Sequence, residues 1–226
     1  MAMIWIIFGV FALLSWLISN RLKNKFRQFS RIPLSHGLTG REVAEKMLHN
    51  NDIYDVQVIS VAGELTDHYN PAKKTVNLSE GVFSSNSVAA AAVAAHECGH
   101  AVQHAYAYSW LQMRSALVPI VSFTSRWVQW VLLAGILMVQ SFPQLLLIGI
   151  VLFAFTTIFS VITLPVEINA TNRALAWLGS SGITSAQTQP KAREALRWAA
   201  YTYVIAALGS LATLFYYIMI FMGRRD

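Results

Sequence analysis

Within the run from Ala89 to Tyr108, AAAAVAAHECGHAVQHAYAY, His96 and His100 frame Glu97 in the order His-Glu-x-x-His. Residues four apart on an α-helix share a face, so both imidazoles can close on one metal ion while Glu97 stands beside the place of a water. Zinc suits that donor set, because a catalytic zinc takes three protein ligands, keeps its fourth position open and acidifies the water held there to near neutral pH. Glu97 then serves as general base: it accepts the water's proton and hands it to a departing amine. The same letters also fit buried, merely hydrogen-bonded histidines, but the small, uncharged flanks favour a helix enclosed within a site.

His104 continues the stripe, yet at 1.5 Å per residue it stands about 12 Å from His96 and cannot join the same ion. It reads as packing, as a group behind the ligands, or as a substrate contact. A third ligand must come from elsewhere, and Glu167 is the choice. It follows Leu164-Pro165-Val166 at the end of a long uncharged stretch and opens EINATNRALAWL. In that run Ile168, Leu175 and Leu178 fit an apolar helix face, and Ala170 and Ala174 allow a close neighbour. Asp52, Asp55, Glu64, Asp67 and Glu80 precede the motif in loops or strands, while Glu194 sits in the basic run KAREALR. The rival role for Glu167 is an interfacial glutamate paired with Arg173.

The elements that must position these residues lie in an unusually apolar chain. Of 226 residues, 55% are hydrophobic and 12% charged, and the mean hydropathy is +0.47; this composition indicates a membrane protein. The net charge of +6 reads as a topology signal, since no basic-aromatic patch points to nucleic acid. Cys98 is the sole cysteine, which excludes an internal disulfide. Residues 1–20 are uncharged and followed by Arg21, Lys23, Lys25 and Arg27, the pattern of an uncleaved anchor with its N-terminus outside. Trp127 to Val166 is free of charge, enough for two crossings joined by a turn at Ser141-Phe142-Pro143-Gln144. The first crossing needs residues before Trp127, which brings Arg126 to the bilayer edge, where it snorkels. Trp198 to Gly223 makes a last span before Arg224 and Arg225.

Between these spans the chain looks soluble. Thr39 and Glu42 form a capping box for a helix through His49. Val56, Val58 and Ser60 suggest a strand, and Gly63 a turn. Residues 65–79 read as a loop through Asn70-Pro71 and then a strand from Thr75 to Leu78. That strand is expected as a sheet edge able to hold an extended peptide by main-chain hydrogen bonds. His68 and Tyr69 are candidates for polarising a scissile carbonyl. Ser84, Ser85 and Ser87 can cap the metal helix, which is expected to end before Pro119.

HECGHAVQHA, the upstream DHYNP and the Glu-x-x-Ala-x-x-Arg-Ala run from Glu167 together resemble the YugP-type membrane zinc metallopeptidases, a bacterial family. The resemblance covers nearly the whole chain. It implies a zinc-dependent endopeptidase with His96, His100 and Glu167 as ligands and Glu97 as base. The family favours an acidic residue where Asn169 stands, so the group orienting a zinc histidine is expected to be neutral here, which bears on metal affinity and rate. Asn169, His104 and Arg173 are the candidates for that outer layer.

The expected fold is mainly α, a four-span helical membrane protein with a small α+β zincin-like, gluzincin-type domain. Its parts are an anchor over 1–20, a cytoplasmic domain over 21–115 with the His-Glu-x-x-His helix at about 85–108, and a membrane hairpin over 116–166. A third-ligand helix and loop over 167–197 and a final span over 198–223 complete it. Expected partners are one Zn2+ per chain, membrane lipids and a membrane-associated protein or peptide substrate, with the active site at the cytoplasmic face of the cell membrane. The alternatives are a non-proteolytic zinc-binding membrane scaffold and a zinc hydrolase of non-peptide amides.

Overall fold

A computed structural model describes residues 2–223, with side chains from Ile4 onward. Arg224 and Arg225, the basic tail that entered the topology reading, lie outside the described residues. The chain is mainly helical. Its elements are α1 (Ala2–Phe29), α2 (Gly40–His49), β1 (Gln57–Val61), β2 (His68–Asn70), β3 (Thr75–Ser79), α3 (Glu80–Phe83), α4 (Val88–Ala105), α5 (Ser109–Leu137), α6 (Pro143–Ser180) and α7 (Gln189–Gly223). Four helices are long and apolar enough to cross a membrane: Ile4–Phe29, Ser109–Leu137, Pro143–Ser180 and Gln189–Gly223. The chain divides into two compact units, one of residues 18–111 and 166–201, the other of residues 1–17, 112–165 and 202–226.

The first unit is built around α4. Its N-terminus is fixed by Ser87, whose hydroxyl accepts from Ala90 N at 3.2 Å. Alanine at Ala89–Ala92, Ala94 and Ala95 leaves no side chain to hold neighbours away, and all six are buried. α2 packs there through Val43, Ala44, Met47 and Leu48. It starts with the expected box: Thr39 Oγ1 accepts from Glu42 N, and Glu42 Oε2 accepts from Thr39 N at 2.8 Å. The sheet has the order β1-β3-β2. β1 runs parallel to β3, and β2 antiparallel to it, pairing Tyr69 with Val76.

Two expectations give way here. The stretch from His68 to Asn70 is a strand, because the Asn70 side chain accepts from the Ala72 and Lys73 amides, both at 3.0 Å, and so builds the turn itself. Thr75–Leu78 is consequently no edge: β3 is central and buried along its length, and the edge toward α4 belongs to β2. α4 ends at Ala105, short of Pro119 as expected, where Ala107 adopts φ 50° and Tyr108 N returns to Gln103 O at 2.9 Å. Alanine in the left-handed region gives no sequence signal of a helix stop.

Pro119 and Pro165 both sit inside helices. A proline removes one backbone hydrogen bond, which long apolar helices tolerate when packing holds them. One helix therefore carries both the uncharged stretch 143–166 and Glu167, across the expected boundary between the membrane hairpin and the third-ligand helix.

The second unit is a packing of α5, α6 and α7 with the start of α1. Val128, Leu132, Leu146 and Ile150 form its core. A Cβ on Gly135 would lie 2.6 Å from Leu146 Cα, so α5 and α6 touch backbone to backbone.

Within the first unit α4 and α6 approach as closely. A Cβ added at Gly99 would lie 2.7 Å from Ala170 O and 3.1 Å from its Cα. Gly99→Ala should therefore lower the thermal midpoint in detergent by several degrees. Overpacking costs about 1–3 kcal/mol and outweighs the helix-propensity gain of up to about 1 kcal/mol. A midpoint equal to or above the parent's would show the two backbones are free to separate.

Candidate metal centre

The alanine-rich α4 can enter the middle of its unit because its side chains are small, and it carries His96 and His100 with it. The two rings stand nearly perpendicular, at 84°, with centroids 4.9 Å apart. α6 brings Glu167 to them, since Gly99, one residue before His100, lets the helices meet at Ala170. Glu167 Oε2 lies 3.2 Å from His96 Nε2 and 3.5 Å from His100 Nε2. Two ligand atoms on a tetrahedral zinc, each about 2.0–2.1 Å from the metal, are about 3.3 Å apart. The three donors lie within 4.8 Å of one another, with His100 and Glu167 buried and His96 half-buried. Two imidazoles and one carboxylate, with no fourth histidine or cysteine joining them among the described residues, fit a zinc with an open position. Cys98 faces elsewhere: its thiol donates to Ala44 O at 3.5 Å, and burial pushes its pKa far up.

Behind the ligands runs a chain of hydrogen bonds. His100 Nδ1 meets Gln103 Oε1 at 3.0 Å. The amide oxygen can only accept, so Nδ1 carries the proton and Nε2 presents its lone pair to the site. Gln103 is fully buried; its Nε2 donates to Val166 O at 2.8 Å and to Asn169 Oδ1 at 3.0 Å. Arg173 Nε donates to the same Asn169 oxygen at 2.8 Å. His96 Nδ1 lies 3.3 Å from Thr171 Oγ1. The neutral Asn169 thus reaches a ligand through Gln103, and Arg173 reinforces it. Burial opposes the charged form of His100, but the hydrogen bond and charge of Glu167 overcome this and raise its pKa.

Glu97, adjacent to His96, is buried and aimed by the sheet. Its Oε2 accepts from Tyr69 N at 3.0 Å. On the same strand the Tyr69 hydroxyl lies 2.8 Å from His104 Nδ1, and burial together with nearby Asp55 pushes its pKa up to about 12. Tyr69 therefore joins β2 to α4 at two points. His68 is exposed, and its Nδ1 lies 2.8 Å from Thr66 O in its own loop.

Sequence reasoning missed Gln103 and Thr171. Gln103 had one signal, a polar residue one turn beyond His100 in an otherwise apolar run; Thr171, four residues after Glu167, had none. Gln103→Leu should weaken zinc binding about 10- to 100-fold, measured by competition with a chromogenic chelator. Unchanged affinity would remove Gln103 from the support of His100.

Comparisons with known proteins point to the same metal. The chain is 40% identical over 225 residues, covering 99% of both sequences, to "Putative membrane protease YugP" of Bacillus subtilis (strain 168). No solved structure matches it. Matched from residue 4 to residue 222, the chain belongs to the family described as "Putative neutral zinc metallopeptidase".

Proposed function

We propose that the chain is a membrane-spanning zinc endopeptidase of the zincin, gluzincin-like kind, binding one Zn2+ through His96, His100 and Glu167. The observation that carries this reading is the convergence of those donors at 3.2 and 3.5 Å beside a buried glutamate that is not one of them. When bound, zinc supplies Lewis acidity, lowering the pKa of a water to about 7 and polarising a carbonyl.

The remaining chemistry belongs to the protein's own groups. Glu97 takes a proton from the attacking water and delivers it to the leaving amine. The Tyr69 amide holds Oε2, which leaves Oε1 for the water and fixes the plane of the carboxylate. Gln103 and Thr171 keep the two imidazoles turned with Nε2 inward. The free edge of β2 is the surface on which an extended peptide would add as a further strand, with Tyr69 and, more distantly, His68 beside its carbonyls.

The four long apolar helices and the relative's description as a membrane protease support placement in the cell membrane. The basic residues after Asn20 and around Arg193 support a cytoplasmic active site. Glu167 directly trails an uncharged stretch, so the metal sits near the lipid interface and the substrates are membrane proteins or peptides close to the bilayer.

Glu97→Gln separates this reading from a structural zinc site. Purified in detergent, the variant should keep one zinc per chain and cleave casein or a membrane peptide about 10²- to 10⁴-fold more slowly. Equal turnover in both proteins would sink the assignment of Glu97, and cleavage by neither would favour a scaffold or a hydrolase of other amides.

A further inference from the structure

α1 leaves its uncharged stretch at Asn20 and stays helical to Phe29. α7 enters its own uncharged stretch at Trp198. The two helices run antiparallel, with Lys25 Nζ 2.9 Å from Glu194 Oε1 and the Phe11 ring against Gly209. Counting four residues back along α1 and four forward along α7 from the ion pair sets Arg21 level with Trp198. Two uncharged runs, far apart in sequence, thus begin at one height.

Beside α1, just past this level, lies a cavity of about 360 Å³. Lys23 and Arg27, one helical turn apart on α1, and Arg31, two residues past its end, line it, against Glu64 as the single carboxylate. Among the described residues no carboxylate pairs with those three cations, whereas Lys25 on the neighbouring face is paired. At 1.5 Å per residue Lys23 stands about 3 Å and Arg27 about 9 Å beyond the apolar level. A bilayer's polar layer is about 5–7 Å deep on each side, so Lys23 stands within it and Arg27 just past its outer edge. The cavity also has apolar lining from Phe26, Val82 and Leu65. Leu65 is 47% exposed and held at φ 58°, a conformation that disfavours leucine. Unpaired cations and apolar side chains in one cavity suit an amphiphilic anion.

We propose that this cavity binds the headgroup of an anionic phospholipid, with its phosphate on Lys23, Arg27 and Arg31 and its glycerol end on Phe26 and Leu65. The proposal rests on the membrane placement put forward above. It supplies a contact that fixes the depth of the unit carrying the metal ligands.

Native mass spectrometry of the full chain in detergent, titrated with dioleoylphosphatidylglycerol or dioleoylphosphatidylcholine, tests this. The anionic lipid should bind at least about tenfold more tightly than the zwitterionic one. The variant Lys23→Gln, Arg27→Gln, Arg31→Gln should bind it about 100-fold more weakly, at about a factor of five per cation removed. A control with equal charge change, Arg41→Gln, Lys46→Gln, Lys73→Gln, should bind as the parent does. Leu65→Asn suits the left-handed backbone, so it should fold, and it should lose affinity severalfold. Equal binding of the two lipids, or full binding by the first variant, overturns the site. Displacement of the lipid by millimolar inorganic phosphate also overturns it, in favour of a free anion. Carbonate extraction of membranes separates the two layers: release of the parent chain defeats the membrane placement, whereas retention without lipid preference defeats the lipid site alone.

Discussion

One carboxylate shared between two imidazoles sets the terms for the rest of the unit that holds it. Glu167 can reach His96 and His100 only if α6 lies against α4 at backbone distance, and the interface is built for that approach. Gly99 faces Ala170, and Ala174 is buried further along α6. Larger residues at any of these positions would move the carboxylate off the rings by the width of a methyl group. The same closeness lets Gln103 on α4 reach Val166 O and Asn169 on α6. Ligand, support and packing are therefore one contact seen three ways.

Glu97, the proposed base, is held by a different element. It points to the side of α4 covered by β2, where the Tyr69 amide fixes it, while His96 and His100 point toward α6. Sheet and helix thus hold different parts of the candidate site, β2 the Glu97 carboxylate and α6 the carboxylate that meets both rings. The Tyr69–His104 contact ties the strand down one turn past His100. His104, too far along the helix to ligate the same ion, has found work as the post to which the strand is tied.

Much of this was legible in the residues. His-Glu-x-x-His is local, so its geometry follows from helical periodicity, and the capping box at Thr39 and Glu42 is equally local. Glu167 could be picked because charged residues are scarce after the motif, which left few rivals. What was not legible depended on tertiary contact. The edge of the sheet moved from Thr75–Leu78 to His68–Asn70 because strand order is decided by partners, and a three-residue strand before Asn70-Pro71 looks like a loop. Pro119 and Pro165 lie inside helices, since in a long apolar helix the loss of one hydrogen bond does not outweigh the packing and the remaining ladder. Gln103 and Thr171 matter only through neighbours distant in sequence.

The outer layer also accommodates asparagine at position 169, where the resemblance implied an acid. A carboxylate at position 169 would draw the histidine proton toward itself and strengthen the imidazole as a donor to zinc. With asparagine that charge is missing: Arg173 and Gln103 both donate to Asn169 Oδ1, and Gln103 Oε1 accepts from His100. Gln103 is thereby held in place, and burial keeps water from competing. Gln103 fixes the tautomer but adds no negative charge. The penalty falls on metal affinity, because zinc must displace protons from its ligands to bind and a less basic imidazole binds it less strongly. Glu167 limits that penalty, as its charge is placed directly against both ring nitrogens.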